Sequence, residues 1–516
     1  MSTTKFLMKA LVPLSIAGLL LSGCAGGSGS SGSGGDSAAA TTSDTLRANW
    51  GGFPESWEPG SQAMEPGYMR VPYETLVLRQ KDGTILPYLA TEWEFGEGAK
   101  SLTLTLRDDV TFQDGTPFNA EAVKTNVEYV RDVVGGQFGG PLASGVDSVE
   151  AIDDTHVKFT FSRPFGTFLD LLSQRNLPMA SPAAIADGSI KTNPVGTSPW
   201  AYDESKSIAG TKMFFGEYAE YWGEKPGFAN VELYGIADDT AATAALLSGD
   251  LDVTDTELDE LPRIEAASNV ETFDYPAIRV NLNFFDRGTG GVFEDQQVRE
   301  ALCYAIDGSV IASLSEDRTA ETQHFIEGEI GYNPEIVGYD ANLKKAKEIW
   351  AELGNPEITA QIGAAPFNKQ EITVRAEQMS QLPNVNITVQ ELTAPQYFST
   401  WNAGSYPLGV GNNAQITPAD WYGSWFSENA PLNTSKTVSE KLAGLAGKAL
   451  GSTGTPDADA NWQAVMQEIS DEALACSHSV NLESIAYNTD TVADVQPAIQ
   501  VWEQNLIDYR AVKPAA

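Results

Sequence analysis

Short segments of two-residue hydrophobic period alternate along this chain with segments of three- and four-residue period, and that alternation confines it to a mixed α/β fold. Leu102, Leu104 and Leu106, then Val157, Phe159 and Phe161, read as half-buried strands. Asn119 is placed to cap a helix whose stripe is Val123, Val127, Val130 and Val134. Thr240 is expected to cap a second helix through Leu246 and Leu247, stopped by Gly249. Asp295 is expected to cap a third carrying Val298, Leu302, Ala305 and Ile306. Asp340 is expected to cap a fourth carrying Leu343, Ala346, Ile349, Trp350 and Leu353, with Gly354 as its stop. At 516 residues the chain exceeds what one core serves, so two or three structural units are expected. No internal repeat emerges, and no interior apolar run approaches membrane-spanning length.

The balance of 70 acidic against 32 basic residues gives a net charge of −38, which disfavours nucleic acid and anionic membrane as partners of the surface. Solubility is the ordinary use of such charge; steering of a cationic ligand is the sharper one. At the N-terminus Lys5 and Lys9 precede the apolar stretch from Leu11 to Leu21, which is too short to span a bilayer and reads as a signal peptide over 1–23. It ends in Leu21-Ser22-Gly23-Cys24, which looks like the lipobox of bacterial lipoproteins. Cleavage there would leave Cys24 as a lipidated N-terminus that holds the protein at the membrane. The segment 24–44 then reads as the lipidated Cys and a Gly/Ser tether. In the mature body only Cys303 and Cys476 remain; a bridge is possible, but two buried free thiols are the favoured reading.

The stretches Tyr73 to Phe95 and Leu106 to Val123 resemble signature segments of the peptide/nickel family of ABC-transporter solute-binding proteins. In the second, Asp114-Gly115 supplies a turn, Pro117 fixes the approach and Asn119 starts the helix. Asn193 to Glu204, Tyr221 to Val253, Val298 to Asp307 and Tyr339 to Gly354 match in the same order. The resemblance implies two α/β lobes of periplasmic-binding-protein type, joined by hinge strands around an interlobe cleft, with an extra subdomain in lobe one. On that pattern lobe one spans 45–281 plus 484–516, and lobe two 282–483. A crossing between lobes is expected near Arg279 to Gly291.

Family members that take peptides pair an Asp of the second lobe with the ligand α-ammonium. In the corresponding stretch, Gly404 to Phe426, Asn412 or Asn413 falls where that Asp is expected, and the later acidic position is Asp420. An Asn offers a hydrogen bond without a counter-charge. Either Asp420 takes over or the ligand has no free amine, and an N-cap for the helix carrying Trp421 and Trp425 is the plainer role for Asp420. Trp401, Trp421 and Trp425 are candidates to line the cleft, with core packing as the alternative for each one singly. Arg175 lies where relatives that take nickel chelates place a carboxylate-binding Arg. His156, His324 and His478 read as isolated, His324 either as an ordinary surface residue, the favoured reading, or as the single imidazole that some nickel-chelate binders of the family offer, so no protein metal site and no cofactor are expected.

No P-loop, HExxH or nucleophile-elbow pattern argues for an enzyme. The expectation is therefore a monomeric lipoprotein that captures peptides, or alternatively nickel or another metal chelate, for ABC permease subunits. A ligand receptor for a membrane sensor is the alternative of another class.

Overall fold

The chain divides into two units, Met1–Thr41 and Thr42–Ala516. The computed structural model describes residues 44–61, 66–80, 84–173, 177–256, 260–315, 318–393, 396–397, 399–400, 404–413, 417–430, 432–453, 455–495 and 507–515. The signal peptide, Cys24 and the tether lie outside these residues. Among the described residues no helix is long and apolar enough to cross a membrane.

Thr45–Asn49 runs parallel to both Asn230–Tyr234 and Val253–Thr256 in a nine-stranded mixed sheet. Its alternate residues Leu46 and Ala48 are buried with Trp57, Trp200, Phe215 and Tyr509 in one core. Inserted in this lobe is a four-stranded antiparallel sheet in the order Ala90–Phe95, Ser101–Leu106, His156–Phe161, Val146–Ala151. The expected alternation holds here: Leu102 lies opposite Phe159 and Leu104 opposite Val157, and all four side chains are buried. Helix Ala120–Tyr129 adds Val123 and Val127 to this core, capped as expected by Asn119, whose side chain accepts from the Ala122 amide at 3.0 Å. The α-helical stripe stops earlier than the spacing predicts, since Val130–Val134 forms a π turn.

Two long strands, Val270–Phe284 and Ala475–Asn488, pair antiparallel along their whole length and carry the chain from this lobe into the other. At one end Ile485 and Ala486 are buried in the cores of lobe one. At the other, Val280, Leu282, Phe284 and Cys476 enter the core of lobe two. Register shifts interrupt the ladder at Pro276/Ile278, where a strand Pro removes a ladder donor, and at Val280/Leu282. The crossing therefore begins nearer the N-terminus than the expected Arg279 to Gly291. The glycine-rich run that follows closes a turn instead, with the Phe293 amide returning to the Asp286 carbonyl at 3.0 Å.

Lobe two covers one face of these strands with helices Gln296–Ala305, Leu343–Glu352 and Lys369–Met379 and the parallel pair Ile358–Ala364 with Val385–Glu391. A second core contains helices Pro418–Trp425, Glu440–Leu450 and Ala458–Asp471. Asp295 caps its helix as expected, accepting from the Gln297 amide at 2.8 Å. Two caps differ. Asp238 replaces Thr240, accepting from the Ala241 amide at 2.8 Å while the Thr240 hydroxyl donates to Glu260. Asn342 replaces Asp340, accepting from the Lys345 amide at 3.0 Å. The stops at Gly249 and Gly354 hold, with φ of 79° and 82°.

The reading of Cys303 and Cys476 as free thiols is overturned. They form a disulfide with Cα atoms 5.8 Å apart. Residues separated by 173 positions meet because helix Gln296–Ala305 packs against the second crossing strand in one core, which no local pattern reveals.

Candidate functional site

Helix Pro418–Trp425 begins where its sequence says a helix should. Pro418 occupies the first turn, where its missing amide costs nothing, and Thr417 caps it by accepting from the Asp420 amide at 3.0 Å. The cap is thus Thr417 and not Asp420. Asp420 stands in the first turn, where the helix dipole favours an anion, and its Oδ2 accepts from the Thr417 hydroxyl at 2.7 Å.

The charge of Asp420 is felt by a second carboxylate, from the other lobe. Asp170, on the short helix Phe168–Leu172 packed in the inserted-sheet core, pairs with Arg79 on strand Val77–Arg79 at 3.0 Å. Burial, against the opposing pull of Arg79 and with a smaller push from the Asp420 charge, holds the Asp170 carboxyl up at about 6. Native protein therefore takes up this proton as pH falls through about 6, well above the ordinary carboxylate value at which the unfolded chain would. Between pH 7 and pH 5 this one group should add about 1 kcal/mol of stability to the native state. The Asp170→Asn variant should lose that increment, checked by urea denaturation at both pH values.

Beside Asp420, Trp421 stacks on His324 with ring centroids 4.0 Å apart and planes 12° apart, and His478 stands 6.3 Å from the same indole. His324 is therefore not a surface residue: it is 3% exposed. Nor are the two histidines isolated, since their ring centroids are 6.4 Å apart. They come from strand and loop segments far apart in the chain, with no shared periodicity to announce them. Burial drives His478 down to about 3, so its imidazole is neutral at physiological pH. Trp425 stacks on Phe285 at 6.0 Å, and both tryptophans belong to the helical core of lobe two. His156 instead meets Asp153 on an exposed turn.

Asn412 and Asn413 end strand Leu408–Asn413, opposite Val280 and Arg279 of the first crossing strand. Sequence reasoning passed over Arg279 itself. It is 2% exposed, pairs with Glu329, and shares with Asn281 and Asn283 a buried polar face opposite the apolar Val280, Leu282 and Phe284. Strict alternation of polar and apolar residues from 279 to 284 was the available signal. Arg175 and Trp401 lie outside the described residues. Among the described residues no group of three or more His, Cys, Asp or Glu is arranged to hold a metal ion.

A small pocket opens in lobe one, between Arg70, Glu74, Tyr88, Trp200, Asp508 and Arg510 among others. None of the residues singled out from the sequence lines it. Its Glu74 is buried and accepts from Thr197, Tyr221 and Trp222 at 2.9–3.0 Å, and burial holds its carboxyl above the usual range. These bonds tie Glu74 to two later loops of the chain and read as framework.

Comparison with known proteins agrees with this architecture. Residues 84–433 match the family described as bacterial extracellular solute-binding proteins, family 5 Middle. The chain belongs to that family: it is an extracytoplasmic solute-binding protein of the ABC-transporter type, a carrier and not an enzyme. It is 24% identical over 423 residues to the probable D,D-dipeptide-binding periplasmic protein of Escherichia coli K12, covering 78% of this chain and 81% of that one. It is 35% identical to the nickel-binding periplasmic protein of the same strain over 186 residues, 35% of either chain. The structure of HbpA2 from Haemophilus parasuis superposes with a TM-score of 0.80 at 18% identity, over 92% of this chain and all of the other.

Proposed function

We propose that this protein captures a peptide or peptide-sized solute bearing a cationic amine outside the cell and delivers it to ABC permease subunits. It acts as a monomer held at the membrane by lipid on Cys24. The observation that carries the reading is the pair Asp420 and Asp170, two carboxylates from opposite lobes in each other's field. Bringing the lobes together costs repulsion, and a ligand ammonium held between them repays it. Asp420 is the anchor, with Trp421 shaping the wall beside it and Asn412 or Asn413 adding hydrogen bonds. Arg175 and Trp401 are assigned to the rim of the same cleft by the family resemblance alone. The likeness to a D,D-dipeptide-binding protein supports a peptide. The crossing strands supply the hinge, so binding shifts the protein towards a closed state.

A charge-assisted hydrogen bond contributes about 1.5–3 kcal/mol. Asp420→Asn should therefore weaken binding of an amine-bearing dipeptide roughly 10- to 100-fold and leave its N-acetylated form unchanged, measured by calorimetric titration. The likeness to a nickel-binding protein favours a second reading, a metal chelate. An anionic chelate would be repelled by the same pair, so Asp420→Asn would then strengthen binding.

A further inference from the structure

Gly166 has no reason inside its own lobe to be glycine. Its φ lies outside the left-handed region, so the backbone does not demand it. What demands it lies in the other lobe: a Cβ on Gly166 would stand 2.2 Å from the carbonyl oxygen of Leu450, with the Thr453 hydroxyl 3.6 Å away. Leu450 is the last residue of helix Glu440–Leu450, and its side chain packs against the helical core of lobe two. Gly166 sits on the turn between strand His156–Phe161 and helix Phe168–Leu172, in the core of the inserted sheet.

We propose that Gly166 and the C-terminal end of helix Glu440–Leu450 form the closing contact between the lobes, a seat that admits backbone only and so sets how far the cleft can shut. Both sides are stiff. Phe165 and Phe168, on either side of Gly166 and its neighbour, pack on Phe161 with ring centroids 5.4 and 5.0 Å away. The Phe165 amide is tied to the Ala99 carbonyl at 2.9 Å and the Phe168 amide to the Phe165 carbonyl at 3.1 Å, so the turn cannot swing aside. Opposite, the Thr453 hydroxyl donates to the Leu450 carbonyl at 3.2 Å, and the helix is packed along Ala458–Asp471. A side chain at 166 therefore separates the lobes instead of denting either of them. The same turn leads directly into the helix carrying Asp170, so the seat fixes how near Asp170 comes to Asp420. The seat is a property of the hinge and does not depend on which solute binds.

The test pairs two variants that block the seat from opposite sides, Gly166→Leu and Thr453→Trp, with Gly166→Ala as the milder case. Far-UV circular dichroism and the melting temperature report each lobe's integrity, small-angle scattering reports compaction, and native mass spectrometry reports the solute retained through purification. Expected are wild-type spectra, a larger radius of gyration than wild type in both blocking variants, and loss of retained solute by about tenfold if the closed fraction falls tenfold. Gly166→Ala should fall between. If Gly166→Leu fails to fold, Thr453→Trp decides, because position 453 is part-exposed in its own lobe. A folded Thr453→Trp protein with the radius and retained solute of wild type overturns the proposal.

Discussion

Replacing both Cys303 and Cys476 by alanine should lower unfolding stability by about 2–5 kcal/mol, with the same loss on reducing the wild-type protein after partial denaturation. The disulfide closes a loop between residues 173 apart, near the upper end of what chain entropy rewards. Position adds to it. Ser477, next to Cys476, has a φ of 53°, in the left-handed region where a non-glycine residue is strained. It is held there by the bridge on one side and by Arg375, whose Nη1 donates to the Ser477 carbonyl at 2.9 Å, on the other. Losing the bridge frees a strained residue on a hinge strand. Urea midpoints of the oxidised and alanine forms check this; equal midpoints would mean that packing alone holds the two segments.

The second large effect is expected at Glu371. Its carboxylate takes the Nε and Nη2 of the fully buried Arg375 at 2.9 and 2.7 Å, and the Nη1 of Arg318 at 2.9 Å. Glu371→Ala leaves a buried guanidinium without its counter-charge and should cost about 3–5 kcal/mol. Removing both partners is different in kind. The double variant Glu371→Leu with Arg375→Met takes the charge away together with its partner and should recover much of that loss, because a desolvated ion pair is often no better than a well-packed apolar one. Thermal unfolding of the two variants side by side distinguishes a charge effect from a packing effect. If the double variant melts below the single one, the cluster contributes through shape and not through charge balance.

What was legible in the sequence was local. The strands around Leu102 to Leu106 and Val157 to Phe161 announce themselves because one pleated face must be apolar. The caps at Asn119 and Asp295 follow from side-chain chemistry one turn long. Two other caps moved by two residues, to Asp238 and Asn342, because several polar residues precede each helix and the fold gives the unused Thr240 another partner. The two-lobed family was legible because its signatures recur in order along the body. What stayed hidden depends on residues that only the fold brings together. The bridge of Cys303 to Cys476, the stack of His324 on Trp421 and the approach of Asp170 to Asp420 each join segments more than ninety positions apart. Asp420 was legible as a candidate, but its partner was not: Asp170 sits in an apolar helix where periodicity predicts only core.

Capture as proposed depends on a cationic solute group between those two carboxylates. Its most direct test is native mass spectrometry of the mature body incubated with an equimolar set of short peptides, each present with a free amino terminus and in N-acetylated form. The prediction is adducts of free-amine peptides alone, lost in Asp420→Asn. Adducts of the acetylated forms at equal strength, or of neither form, would contradict it.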